Sequence, residues 1–169
     1  MAQDEGCFGR ISRPIRCWAP PGIRPHVPCQ FVREYVYVYS AVAPVQGKMT
    51  SLILPRAESA MMALFLEQVS QTFSKYFIVM QVDRASWHHS DELVIPANMR
   101  LIEQPAYSPE VNPVEHVWDD VREKYFGNRA FPSLDALIEV LCQGLNELAD
   151  DPERLRCLTG FPHLVNITL

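Results

Sequence analysis

The spacing of apolar residues changes period along the chain, and the change marks out the expected elements. Residues 3–11 read as a first strand, followed by a long proline-rich connection through Trp18, Pro20, Pro21 and Pro25 to Pro28. Residues 31–43 are dense in β-formers, Val32 and Tyr35 to Tyr39 among them, and predict a second strand. A turn at Gln46 and Gly47 and a third strand over 49–54 complete an expected antiparallel meander. Helical spacing then takes over. Met61, Leu64 and Phe65, with Met62, Leu66, Val69 and Phe73, recur at three and four residues and predict a helix over 57–73. The near-continuous apolar run 76–82 predicts a strand buried on both faces of a sheet. A short helix over 85–93 and a brief fifth strand over 99–102 follow. Asn112 suits a helix N-cap and Pro113 the first helical position, so a helix is expected over 113–126. Two closing helices are expected over 133–148 and 151–158.

Three strands, a helix, two strands and a helix make up the element order of a ribonuclease-H-like α/β fold. The expected sheet is mixed and five-stranded, three antiparallel strands then two parallel, flanked by helices. The 169 residues match one domain, and 48% hydrophobic with 21% charged residues is a globular balance that excludes disordered and fibrous classes. No apolar run approaches the roughly 20 residues of a membrane helix, and Met1 is followed by Ala-Gln-Asp-Glu, so a cytoplasmic protein with no membrane partner is expected. The five cysteines are odd in number, with no CxxC or Cys/His zinc spacing, and read as reduced thiols. The net charge of −5 argues against a protein built to coat a polyanion. Its distribution qualifies that: residues 1–56 carry +4 and residues 57–169 carry −9.

Three carboxylates are candidates for chemistry. Asp83 ends the most apolar strand, at the sheet edge where open α/β sheets build sites, though an Asp between strand and helix also has a purely structural use. Asp4 lies inside the first strand, where Asp is disfavoured, and shares a face with Gly6 and Phe8. Its neighbour Glu5 points the other way and competes with it. Glu115 falls three residues after Asn112, so Asn112-Pro-Val-Glu115 also fits a capping box. The 113–126 helix is amphipathic, with Val114, Val117, Trp118, Val121 and Tyr125 toward the core and Glu115, Asp119 and Arg122 on a polar face.

Val82-Asp-Arg-Ala-Ser-Trp-His88 and Pro105-Ala-Tyr-Ser-Pro-Glu-Val-Asn-Pro-Val-Glu-His-Val-Trp118 together resemble the catalytic core of the insertion-sequence-630 family, mariner-related transposases with a DDE catalytic domain. Gln3-Asp-Glu-Gly6, Trp18-Ala-Pro-Pro-Gly22 and the 37–47 region are similar to the beginning of that family. The resemblance is most specific over 107–118. It implies that Asp4, Asp83 and Glu115 are the catalytic, metal-holding carboxylates. His88 matches a family histidine five residues past the second Asp, which implies a DNA contact or a supporting contact to the site.

The implied function is a metal-dependent DNA endonuclease and strand transferase, cutting element ends and joining the freed 3′-hydroxyl to target DNA. In-line displacement at phosphorus needs charge neutralised on the attacking and leaving oxygens, work that suits two Mg²⁺ or Mn²⁺ ions on hard oxygen ligands. Double-stranded DNA is the implied partner, with a homodimer as the implied assembly and the nucleoid as the implied place of work. The basic segment with Arg10, Arg13 and Arg16 resembles the family's DNA- and dimer-contacting loop, while an ordinary solvated loop explains its charge equally well. The family's N-terminal helix-turn-helix region has no counterpart in these 169 residues, so the chain is expected to be the catalytic part alone, with DNA reading in a separately encoded partner. Two other classes stay open. One is a catalytically inactive truncated or domesticated remnant serving as a DNA-binding or dimerisation module. The other is a ribonuclease-H-like nuclease acting on RNA hybrids or junctions, against which the 107–118 match argues.

Overall fold

The protein was analysed as a computed structural model that describes residues 1–12, 14–88 and 93–166. Five strands form one sheet in the order β3-β2-β1-β4-β5. They are β1 (Ala2–Ile11), β2 (Phe31–Ala43), β3 (Lys48–Leu54), β4 (Ile78–Val82) and β5 (Met99–Glu103). The first three pair antiparallel, with Asp4 opposite Ser40 and Tyr39 opposite Leu52. β4 joins β1 in parallel, Ala2 level with Gln81, and β5 joins β4 in parallel. The expected ribonuclease-H-like arrangement is therefore the observed one.

Helix α1 (Ser59–Thr72) covers one face, burying Met62, Phe65, Leu66 and Val69 against Tyr39, Ala41, Met80 and Val82. The buried Tyr39 hydroxyl donates to the Arg56 carbonyl and accepts from the Glu58 N–H, so this polar atom is satisfied where the helix begins. The other face carries α2 (Val114–Val121), α3 (Leu134–Ala149) and α4 (Pro152–Thr159), packed over β1 to β3. Ser133 and Asp151 cap α3 and α4 through their side-chain oxygens. A short α5 (Pro162–Val165) ends the described chain.

Three expectations change. The 76–82 run forms a strand only over Ile78–Val82 and is buried on one face: Ile78, Met80 and Val82 point inward, while Val79 is 46% and Phe77 66% exposed. The cause is coverage, since α2 to α4 lie over β1 to β3 and leave that side of β4 bare. The helix expected over 85–93 is a 3₁₀ turn at Ser86–His88, and residues 89–92 lie outside the described residues. The 113–126 helix is α-helical over Val114–Val121, and its last turn, Arg122–Phe126, widens to π-helical geometry. That wide turn sets Phe126 against Phe8, ring centroids 5.2 Å apart.

Candidate active site

The parallel register sets Ala2 level with Gln81, which brings the end of β4, with Asp83 directly after it, alongside the stretch of β1 that carries Asp4. α2 is brought to the same place by polar stitches. Asn112 Nδ2 donates to the Gln3 carbonyl at 3.2 Å, while its Oδ1 accepts from the Val114 N–H at 3.1 Å. Gln81 Nε2 reaches both Gln104 Oε1 and the Val111 carbonyl, tying the connection before α2 to β4. Glu115, in the first turn of α2, thus stands beside the β1–β4 junction.

The capping box is half formed. Asn112 caps the helix, but its own N–H is already donated to the Pro109 carbonyl at 2.9 Å. The return bond that would employ Glu115 as a cap has no donor left.

Asp4 sits on the α2 face. Trp118 Nε1 donates to Asp4 Oδ2 at 2.8 Å. Gly6 makes this approach feasible, since a Cβ there would lie 2.9 Å from both Phe8 Cε2 and Trp118 Cδ2. Burial pushes the Asp4 carboxyl up to about 7, and the negative charges of Glu115 and Glu5 push the same way against the Trp118 bond. A half-buried carboxyl facing another carboxylate keeps a proton to higher pH, and once ionised it carries negative charge that these neighbours do not offset.

Glu5, next along β1, points through the sheet and is almost fully compensated. Its Oε1 accepts from Gln3 Nε2 at 3.0 Å, Trp87 Nε1 at 3.3 Å and His88 Nε2 at 3.1 Å. His88 Nδ1 lies 2.8 Å from Asp83 Oδ1 and 3.0 Å from the Asp83 carbonyl, and Asp83 Oδ1 also accepts from the Ala85 N–H. Both imidazole nitrogens therefore face acceptors. Burial alone would lower the His88 pKa, but the hydrogen bonds to Asp83 and Glu5 outweigh it and hold the ring up to about 10.

The structure thus divides the expected site residues between two neighbouring clusters. Asp4 and Glu115 come together beneath α2, while Asp83 directly follows β4 and has its carboxylate turned toward His88. Among the described residues, the ligand atoms grouped within 4.8 Å of one another belong to Glu5, Asp83 and His88. Within that group His88 lies between the two carboxylates, one ring nitrogen on each, and a protonated ring offsets one of their two negative charges. The His88 side chain is 1% exposed, enclosed between Glu5 and Asp83.

Residues 1–138 match the DDE superfamily endonuclease family. The chain belongs to that family. It is also 33% identical over 122 residues to a protein of Sinorhizobium fredii named "Uncharacterized protein y4pE/y4sA", covering 72% of this chain and 90% of that one. Solved structures share the fold of this DDE-family chain. The Mos1 transposase paired-end complex with the left transposon end superposes with a TM-score of 0.71 at 15% identity, over 98% of this chain and 52% of that one. The Mos1 mariner paired-end complex with Mn gives 0.69 at 15% identity, with the same 98% and 52% coverage. The chain therefore spans about half the length of those transposase chains.

Of the basic residues expected on the first connection, Arg10 is held within the protein. Its guanidinium donates to the Phe131 and Pro132 carbonyls and to Glu34 Oε2. Arg13 lies outside the described residues. Arg16 is exposed and lines a groove of about 840 Å³ together with Arg10 and Arg33, the two ends of the same basic segment, and with Arg122 and Arg129, two cations outside the expected DNA-contacting segment. Asp119, four residues past Glu115, is also in that lining, so the groove and the carboxylates share one face of α2. Ile15 and Asn128 exchange hydrogen bonds at 2.9 and 3.1 Å and pin the proline-rich connection beside the groove. Among the described residues, no helix is long and apolar enough to cross a membrane.

Proposed function

We propose that residues 1–169 form the catalytic domain of a transposase that cuts DNA at element ends and joins the freed 3′-hydroxyl to target DNA. Asp4, Asp83 and Glu115 are assigned as its catalytic carboxylates. The observation that carries this reading is the pair of Asp4 and Glu115: a half-buried carboxylate with raised proton affinity, faced by a second carboxylate that is released from capping. Among the described residues, no ion pair to either carboxylate is formed. Three carboxylates with no thiolate or neutral imidazole among them suit a hard divalent cation, Mg²⁺ or Mn²⁺, and two such ions are part of the proposal. Bound there, the cations supply charge neutralisation on the attacking and leaving oxygens of a phosphodiester.

The protein's own residues do the positioning. Trp118 fixes one oxygen of Asp4, and Asn112 fixes the start of α2 against β1, so Glu115 keeps its place relative to Asp4. The groove with Arg16, Arg33, Arg122 and Arg129 supplies positive charge along the same helix face and is the path assigned to the DNA backbone. The Mos1 complexes, with which this chain shares its fold, include transposon-end DNA and Mn in their descriptions, which supports the same choice of substrate and cation.

The test is nicking of supercoiled plasmid by the full chain. Nicks that appear with Mg²⁺ or Mn²⁺, vanish with chelator and are lost in folded Asp4→Asn, Asp83→Ala and Glu115→Gln support the proposal. A folded wild-type protein that binds DNA without nicking it under either cation would instead be a catalytically inactive binding or dimerisation module.

A further inference from the structure

Asp83 follows the last residue of β4 and its side chain is half-exposed, with Oδ1 accepting from the Ala85 N–H at 2.9 Å. A buried side chain holds the same oxygen. His88 is buried to 1% side-chain exposure and donates from Nδ1 to Asp83 Oδ1 at 2.8 Å, with the Asp83 carbonyl 3.0 Å away. Its Nε2 is anchored 3.1 Å away on Glu5, whose side chain is 5% exposed and which also takes the Trp87 indole N–H. Glu5 is one residue from Asp4 in β1, and Asp83 directly follows the adjacent strand β4. The chain Glu5–His88–Asp83 therefore runs beneath the β1–β4 junction and couples the backbone of one carboxylate's strand to the side chain of the other.

We infer that His88, anchored by Glu5, is a positioning residue that fixes the direction of the Asp83 carboxylate for cation binding. A side chain at a strand end loses torsional freedom when it binds a cation, and a rigid, buried donor on one oxygen, added to the local Ala85 N–H, lowers that cost in advance. The ring touches neither substrate nor cation in this account; it acts through Asp83. The sequence spacing is explained as well. The 3₁₀ turn at Ser86–His88 returns the chain under Asp83, so that five residues after the strand end a side chain points back to it.

This inference rests on the reading of Asp83 as a cation ligand, and its test separates the two. Mn²⁺ binding to the full chain is measured by calorimetry and by the Mn²⁺ spin-resonance signal, alongside the melting temperature, for five proteins. These are wild type, Asp83→Ala, His88→Ala, His88→Asn and Leu66→Ala. Asn places its Nδ2 close to where Nδ1 of histidine lies, so it returns the donor to Asp83 without reaching Glu5. Leu66, fully buried under α1, controls for lost packing. The expected result is a 10- to 100-fold weaker Mn²⁺ affinity in His88→Ala, on the order seen when partners of metal ligands are removed. Most of it should return in His88→Asn, and Leu66→Ala should melt lower with affinity unchanged. Should His88→Ala not fold, His88→Phe fills the same space without a donor and takes its place. Unchanged affinity without the donor, no recovery with Asn, or an equal loss in Leu66→Ala overturns the inference while leaving Asp83 as a ligand. Asp83→Ala binding Mn²⁺ like wild type overturns both.

Discussion

Asp4 and Glu5 are neighbours on one strand and experience opposite surroundings. Glu5 points to the α1 face, where three donors converge on one of its oxygens. Asp4 points to the α2 face, where one indole N–H meets it and a second carboxylate stands opposite. Two neighbouring carboxylates thus end in different states: the first is met by three donors inside the protein, and the second, on the proposed reading, is left to be balanced by a cation. A charge in low dielectric that the fold does not neutralise costs stability, so its retention points to something that binds there. The contrast also sorts the roles. On the proposed reading, the compensated residue is scaffold and the uncompensated one is site.

If that contrast is right, the largest stability loss should come from the compensated side. Glu5→Ala removes the anchor of a buried imidazolium and leaves Trp87 Nε1 without its acceptor; breaking a buried ion pair from one side costs about 3–5 kcal/mol. Urea unfolding should show that loss. A cost below about 1 kcal/mol would mean that the cluster is not a scaffold. Gly6→Ala ranks next. Its Cβ would meet Trp118 and Phe8 at 2.9 Å, and overpacking of this kind costs about 1–3 kcal/mol. Because Trp118 must retreat, indole fluorescence should shift together with the stability. Asn112→Ala is the smallest of the three, about 0.5–2 kcal/mol for a lost cap, and part of plasmid nicking should survive it. Glu115→Gln, by contrast, should leave stability unchanged or raised, since it removes a like charge beside Asp4.

The same contrast has a signature in pH. The Asp4 carboxyl has its folded pKa raised to about 7 from an ordinary 3.8, so between those values the folded state binds the extra proton. Stability of the metal-free protein is then highest below about pH 4 in this contribution and is lost as pH rises through about 7. Asp4→Asn should flatten that slope, as read from urea midpoints in chelator.

Much of this was legible in the residues themselves. The switch from Tyr-Val alternation in β2 to three-and-four spacing in α1 reported the sheet and its covering helix, and strand alternation alone put Asp4 and Glu5 on opposite faces. Which of the two is compensated was not legible, because the donors come from Trp87 and His88, more than eighty residues away in sequence. The apolar run at β4 misled for a related reason. Hydrophobicity records what a side chain tolerates, and coverage by α2 to α4 is set by how those helices lie across the sheet. For Glu115, the sequence spacing fits cap and ligand equally. What bears on the cap is where the Asn112 N–H is donated, to the Pro109 carbonyl in a 3₁₀ turn that the sequence pattern did not announce.

The most direct test of the account is the melting temperature of wild type and Asp4→Asn at pH 8, each in chelator and in millimolar Mg²⁺. The account predicts that Asp4→Asn melts higher than wild type in chelator, because an uncompensated buried charge has been removed. Mg²⁺ should then raise wild type by several degrees through mass action and leave Asp4→Asn where it was. A wild type that melts above Asp4→Asn without metal, and that gains nothing from Mg²⁺, would contradict the claim that Asp4 is held for a cation.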